Sequence, residues 1–580
     1  MFVNIVQCLL LLAFIVSSVY VIIQDKDNSY GIVVKVDGRK VVNGKQGVQT
    51  TIGRLRENDV VNNSSVVSRK HMIFTYDGTG VIPEDSYADR CSNGEEYKLA
   101  GTTYDFSKPD KIFKIDMKYL PVIISILFTI LRWISIRQDF DNSLLIVPFF
   151  ILVVYQISNV FLVVNTAPII ECSFSIFLTY YIYAMLYKST PETLNNAVEK
   201  CCIGVAVYVL VALAIKLLLM FVKMSNKTKI KPLKYKLFNK SEITINDVLL
   251  FASSVAIVLL IAFNLIFAKE INGARNWVYI GSLSIQPSEL VKVLLLFIVV
   301  IPTNKRVDNI SNLFYLLMIP AICFLYCLVI KDVGALIEMA VIWIVAIVLQ
   351  SANILVTGLV LSGMMFGIKL VLRVSATAAQ RFSGWASDNI WEALASKGIF
   401  ENQSTIGYQS VNALISAIAN GGAFGGRRYY DIDVMRNVEA SNSDLVMSVI
   451  CQRYGYIVMF LLLLVLALVF AVSILTLKKQ TKSQQTLSLL SLSLILIAYV
   501  LNIGGSFGII PLTGVVLPYF SYGISSAVSY GTLMGIITSF SYETFDIVKN
   551  NTLTKRDKTF IEEMKILYTK AKKKIKTGGC

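Results

Sequence analysis

From residue 118 onward, apolar stretches about as long as a bilayer is thick follow one another at short intervals. They run over 118–137, 143–164, 168–187, 201–223, 246–268, 285–302, 312–330, 333–350 and 353–373, and, after a long polar stretch, over 445–475, 486–505 and 517–541. A helix needs ~20 mainly apolar residues to cross the hydrocarbon core, where all backbone polar groups must be satisfied internally. Together with the run from Phe2 to Ile23, the pattern predicts about thirteen transmembrane helices. The chain is expected to be a mainly α polytopic membrane protein. Composition agrees: 55% of residues are hydrophobic and 16% charged, against roughly 25% charged in a soluble domain. Soluble enzymes, disordered chains and fibrous proteins are excluded. No small-residue cleavage motif follows the first run, so it reads as an uncleaved anchor.

Lys and Arg number 54 against 38 acidic residues, a net charge of +16. The basic residues lie in short stretches between apolar segments, which speaks against a nucleic-acid partner and for cytoplasmic loops beside anionic lipid. Four basic sites serve as markers: the loop from Lys223 to Lys240, Lys305-Arg306, Lys478-Lys479, and the tail at Lys572, Lys573, Lys574 and Lys576. Counting the spans between them places all four inside and the 374–444 loop outside. Residues 24–117 lie four spans before the Lys223 loop and are therefore also inside, with the first helix running N-terminus out.

Residues 24–117 differ in kind. They are polar, punctuated by Gly and Asp, and contain strand-like runs such as Gly31–Val36 and Val67–Phe74, the signature of a small β domain. Within it stand Gly53-Arg54, Asp59-Val60, Ser68-Arg69-Lys70-His71 and Asn93-Gly94. This constellation resembles the forkhead-associated (FHA) domain, an all-β sandwich that binds phosphothreonine peptides. The resemblance implies that Arg54 and Ser68, with Arg69, hold the phosphate and that Asn93 holds the peptide backbone. A phosphate dianion and a guanidinium suit each other through paired charge-assisted bonds. His71 is the sole histidine of the chain, which excludes a Ser-His-Asp triad or a multi-histidine metal site; the resemblance gives it a supporting role. The alternative is a solvated β domain that only spaces two helices.

Four stretches of the helical part carry further information. They are Gly273–Trp277 with Gly281 and Gln286-Pro-Ser-Glu289-Leu-Val-Lys292; Lys331-Asp332-Val-Gly334; Tyr408-Gln409 with Asn420–Gly426 and Ser443-Asp444; and Pro511–Gly514 with Leu517-Pro518 and Ser521–Ser526. In this order they resemble the SEDS family (shape, elongation, division and sporulation), represented by RodA and FtsW, over roughly residues 118–545. The resemblance implies a SEDS-type helical bundle. Its expected activity is peptidoglycan glycosyl transfer, polymerising lipid II at the outer face of the bacterial cytoplasmic membrane beside a class B penicillin-binding protein. A new glycosidic bond needs a sugar hydroxyl to lose its proton as it attacks an anomeric carbon, and a positioned carboxylate can act as that base. Asp444 matches the family's catalytic aspartate, although an N-cap carboxylate would occupy the same sequence position. Candidate substrate-binding residues are Arg275, Trp277, Gln286, Glu289, Lys292, Tyr408, Gln409, Arg427, Ser521 and Ser525. Arg381 and Arg428 are further cations on the outer side. Glu289 and Lys292, three apart on one helix face, are expected to pair, and Asp332 could pair with Lys331 or another cation.

Several positions depart from the family pattern: Asn442-Ser443 for His-Thr, Gln452-Arg453 for a Glu-Glu pair, Ile524 for Gly, Lys331 for Pro, and three additional helices before the core. The readings from other classes are a flippase or transporter of lipid-linked precursor and a non-enzymatic cell-wall scaffold. The expected division is an anchor over 1–23, the FHA-like domain over 24–117, additional and early helices over 118–223, the SEDS core over 224–545, and a basic cytoplasmic tail over 546–580. The expected partners are lipid II, a penicillin-binding protein, a phosphothreonine-containing protein and the membrane. A divalent cation, Mg or Mn, suits a pyrophosphate, but no dedicated metal cage is visible. Seven of the nine cysteines lie in or beside apolar runs, which suits packing rather than a disulfide framework.

Overall fold

The computed structural model describes residues 2–28, nine strands between 30 and 107 with Asn58, and 117–161, 166–187, 189–227, 235–236, 242–243, 245–271, 274–281, 283–300, 310–350, 354–374, 379, 382, 422–425, 440–477, 480 and 482–548. They fall into two units, Met1–Val19 with Lys118–Ser541 and Tyr20–Met117 with Tyr542–Cys580.

The first unit is a helical bundle. Its helices are α1 (Phe2–Asn28, of which the first part belongs here), α2 (Leu120–Asp139), α3 (Ile146–Phe161), α4 (Ala167–Leu186), α5 (Leu194–Lys227), α6 (Ile245–Phe267), α7 (Pro287–Val300), α8 (Ile310–Ile330), α9 (Val333–Gln350), α10 (Ile354–Val374), α11 (Val446–Tyr454), α12 (Tyr456–Leu477), α13 (Lys482–Ser506) and α14 (Ile524–Val548). Among the described residues, seven helices are long and apolar enough to cross a membrane. Three shorter apolar helices accompany them, within 143–159, 316–330 and 333–349.

Two expected spans differ. The run 445–475 is two helices, broken at Gly455, whose φ is 89°. A side chain there would collide with the Ala423 carbonyl and the Gly425 amide. The turn at 422–425 presses against this joint and accepts the first amides of α12, with Tyr456 N–H on Gly422 O (3.0 Å) and Ile457 N–H on Ala423 O (3.2 Å). The run 517–541 becomes helical only at Ile524. Residues 511–523 stay irregular because side chains satisfy their carbonyls: Tyr499 Oη donates to Pro518 O (3.1 Å) and Asn502 Nδ2 to Val515 O (2.8 Å). Apolarity alone does not distinguish such a segment from a helix. Two small antiparallel sheets were not anticipated: the pair β10 (Tyr235–Lys236) and β11 (Glu242–Ile243) before α6, and β12 (Lys269–Ile271), β13 (Ala274–Ile280) and β14 (Leu283–Ile285), which join α6 to α7.

The core of the bundle is α4. All twenty of its residues are buried, and its aromatic rings meet the C-terminal part of the chain. Phe174 lies 4.2 Å from Tyr519, Phe177 5.0 Å from Phe520, and Tyr180 5.3 Å from Tyr454, measured between ring centroids. Glu171 on α4 is ion-paired with Lys216 on α5, both buried.

The second unit contains the ends of α1 and α14 and, between residues 30 and 107, an all-β domain of two sheets. One has the order β2-β1-β9-β8, the other β4-β3-β5-β6-β7. Here β1 is Tyr30–Val36, β2 Arg39–Lys45, β3 Gln49–Gly53, β4 Val60–Val61, β5 Met72–Tyr76, β6 Gly80–Pro83, β7 Cys91–Ser92, β8 Glu96–Leu99 and β9 Thr102–Ser107. Pairing is antiparallel except between β3 and β4, where Ile52 faces Val60 and Gly53 faces Val61. The expected strand at 31–36 lies within β1; of the one at 67–74, residues 72–74 fall in β5 and the rest lie outside the described residues.

Candidate active site

The polar groups of the bundle collect at one end. The β13–β14 hairpin delivers Gln286 to the start of α7. There its backbone N–H donates to Ser525 Oγ (2.9 Å) and its side-chain Nε2 to Asp332 Oδ2 (3.2 Å). The other oxygen of Asp332 accepts the Ala335 N–H at the start of α9 (3.0 Å), so Asp332 bonds an amide side chain and a helix terminus rather than Lys331. Burial lifts the Asp332 carboxyl above the usual carboxylate range, opposed by the bond from Ala335. Gly334 packs against Val515 and the Thr513 carbonyl with no room for a side chain, which explains a glycine two residues after Asp332.

One turn further along α7, Glu289 and Lys292 share a face. Lys292 Nζ bonds Glu289 Oε1 at 2.8 Å and Glu338 Oε2, from α9, at 2.5 Å. Tyr530 Oη, from α14, donates to the second oxygen of Glu338 (2.9 Å). Three helices are thus tied by one ammonium and two carboxylates. An ion removed from water at such depth is tolerated only with partners of this kind.

Asp444 enters from a turn. Ala440 takes a positive φ of 52°, and its carbonyl accepts the amides of Ser443 (3.0 Å) and Leu445 (3.1 Å). The C-terminal part of the chain then holds the turn by its carbonyls. Asn502 Nδ2 donates to Asp444 O (2.8 Å) and Ser506 Oγ to the same atom (3.4 Å). Ser521 Oγ donates to Ser443 O (2.6 Å), and the Tyr522 N–H to Asn442 O (2.6 Å). The N-cap of α11 is Leu445, without a side-chain cap bond. Asp444 precedes that cap by one residue, and its side chain is half-buried.

Gln286, Glu289, Lys292, Ser521, Ser525 and Asp444 are brought to the same end, linked through the 521–525 segment. Arg275 lies apart, exposed on β13. It pairs with Glu270 (3.3 Å) and lines, with Lys331, a cleft of about 130 Å³. Trp277, half-buried, sits opposite Lys269 in the same sheet. Tyr408, Gln409 and Arg427 lie outside the described residues, as do Arg381, Arg428, Arg54, Ser68, Arg69, His71 and Asn93. Sequence reasoning missed Asn502, Ser506 and Tyr530. The available signal was a lone amide, Asn502, within the apolar run 486–505. Among the described residues no group of three or more His, Cys, Asp or Glu could hold a metal. The carboxylates of the cluster are engaged by Lys292, Tyr530 and Gln286, so they do not fit a resident divalent cation.

Residues 189–545 match the cell cycle protein family of FtsW, RodA and SpoVE, and residues 50–99 match the FHA domain. A protein of Enterococcus hirae described as a probable peptidoglycan glycosyltransferase FtsW is 30% identical over 285 residues, covering 48% of this chain and 70% of that one. One of Bacillus subtilis with the same description is 28% identical over 284 residues, covering 48% and 69%. Of the solved structures, the Thermus thermophilus rod shape determining protein RodA aligns with a TM-score of 0.42 and 18% identity over 65% of this chain and 96% of that one. With a match that extends over more than half its length, the chain belongs to the FtsW/RodA/SpoVE family, and it carries an FHA domain between its first two helices.

Proposed function

We propose that this chain is a peptidoglycan glycosyltransferase that polymerises lipid II at the outer face of the cytoplasmic membrane. The observation that carries the reading is the Asp444 turn. Its backbone is held by four hydrogen bonds from the 502–522 segment, which fix where the half-buried side chain of Asp444 begins. A carboxylate held this way is suited to accept the proton of an attacking sugar hydroxyl, a contribution of about 10²–10⁴-fold. Ser521 and Ser525, on the adjoining segment, and Gln286 supply hydrogen-bonding groups close by. Arg275, Trp277, Tyr408, Gln409 and Arg427 are proposed to meet the pyrophosphate and sugars. The Glu289–Lys292–Glu338 cluster is proposed to hold the shape of the cavity.

The span count of the sequence supports the outward orientation. The ends that should share a side, those of Asn4, Asp139, Gln286, Asp332 and Asp444, are joined by contacts at one end of the bundle. The FHA domain is proposed to face the cytoplasm and to bring a phosphothreonine-bearing protein to the enzyme, with Arg54, Ser68, Arg69 and Asn93 as its contacts. A class B penicillin-binding protein is the proposed partner for cross-linking.

Purified protein reconstituted with lipid II and such a partner is expected to yield glycan strands, and Asp444→Ala to yield none. Buried ion pairs favour one second reading, a transporter of lipid-linked precursor. That reading predicts movement of lipid II across vesicles that survives Asp444→Ala, with no glycan from either protein. For the FHA domain, Arg54→Ala is expected to abolish binding of phosphothreonine peptides to the full chain; equal affinity for unphosphorylated peptides would reject the assignment.

A further inference from the structure

The helix that follows Asp444 is gripped at its far end by residues outside the family match. Helix α11 has nine residues, about 13 Å of rise, and every residue but Arg453 is buried. At its C-terminal end three contacts arrive from the first helices. Asn4 Nδ2, on α1, donates to the carbonyls of Arg453 (3.2 Å) and Phe424 (2.7 Å). Asp139, the last residue of α2, accepts Arg453 Nη2 with both oxygens, each at 2.7 Å. Arg132, fully buried on α2, stands 4.2 Å from the Tyr180 ring and 4.4 Å from the Tyr454 ring. Tyr183 closes the other side of Tyr454, at 5.4 Å between centroids.

A buried guanidinium costs much unless it is compensated. Here Arg132 donates Nε to Thr179 Oγ1 (3.4 Å) and otherwise meets aromatic faces, the arrangement in which a cation gains from ring quadrupoles. Arg453 is itself one of the departures from the family pattern, and its partner Asp139 lies in one of the additional helices.

We propose that Asn4, Arg132 and Asp139 are positioning residues for Asp444. They fix one end of α11, the C-terminal segment fixes the other, and the short helix transmits any displacement directly to the Asp444 turn. The catalytic part of this inference rests on the function proposed above. The helices that supply the grip, α1 and α2, are also the two that flank the FHA domain in the chain.

The test is a charge exchange in the full-length protein. Arg453→Glu sets a carboxylate against Asp139. It is expected to lower the turnover of lipid II about 10²-fold, the scale of a ~1 Å misplacement, with KM unchanged. The same variant is expected to speed amide hydrogen exchange over residues 440–454. Asp139→Arg alone should do likewise, and Asp139→Arg with Arg453→Glu together should restore both readouts. Asn4→Ala should raise exchange in the same peptide. Unchanged exchange in Arg453→Glu, or failure of the double variant to recover either readout, would overturn the proposal. If the wild-type protein makes no glycan but exchange still follows the charge exchange, the grip stands and the enzymatic reading falls.

Discussion

Helices α4 and α6 have similar lengths and opposite surroundings. All of the apolar window of α4 is buried in the protein, whereas only 17% of that of α6 is. Yet α6 lies inside the family-matched stretch and α4 precedes it. Their sequences follow burial, not membership. α6 is the more apolar, with a mean hydropathy of 2.5 over its window against 1.5, because most of its surface is left to lipid, which offers polar groups nothing. α4 carries Glu171 and Thr179 beside partners on other helices, Lys216 for Glu171 and Arg132 for Thr179, while Ser173 and Thr179 also bond α4's own carbonyls at Ile169 and Ile176. The additional helices are thus part of the core that seats Tyr454, Tyr519 and Phe520, not an appended anchor.

Substitutions can break or sharpen that contrast. The largest effect is expected at Glu171. Replacing it by Leu leaves the Lys216 ammonium buried without its carboxylate, a loss of about 3–5 kcal/mol, read as a fall in the unfolding temperature in detergent. Adding Lys216→Met should recover most of the loss; no recovery would mean that the pair does more than satisfy itself. Next comes Phe174→Ala on α4, where the lost ring contacts Tyr519. A cavity of that size costs about 3 kcal/mol, and glycan synthesis should fall with it because Tyr519 belongs to the segment that holds the Asp444 turn. The smallest effect is expected from Leu259→Ala on α6, whose side chain is 64% exposed. A change of more than about 0.5 kcal/mol there would show that this face of α6 meets protein rather than lipid.

The helical architecture was legible because the bilayer imposes its thickness on every span, and most helix ends fall within a few residues of the apolar runs. Legibility failed where side chains replaced backbone pairing. Residues 517–523 open the expected span 517–541, but Asn502, Tyr499 and Ser521 satisfy the backbone of 515–518 and the chain stays irregular, with Tyr519 at a φ of 69°. Gly455 broke the run 445–475 just after Gln452 and Arg453, a polar pair that the length of the apolar run concealed. At the site, the i, i+3 spacing of Glu289 and Lys292 announced their pairing, but the third member, Glu338, comes from a helix 46 positions away from Lys292, a distance over which spacing carries no information. The support of Asp444 comes through backbone carbonyls, for which sequence holds no sign. The grip on Arg453 was visible only as a departure from the family pattern, and its meaning needed Asp139 beside it.

The proposed function requires Asp444 on the exterior side, where the lipid-linked sugars would be polymerised. The most direct measurement is the labelling of a cysteine introduced by Ser443→Cys, using a membrane-impermeant maleimide on intact cells, with the modified position mapped by mass spectrometry. Modification at 443 before the membrane is breached is the expected result. Modification only after permeabilisation would put the Asp444 turn in the cytoplasm and contradict the account.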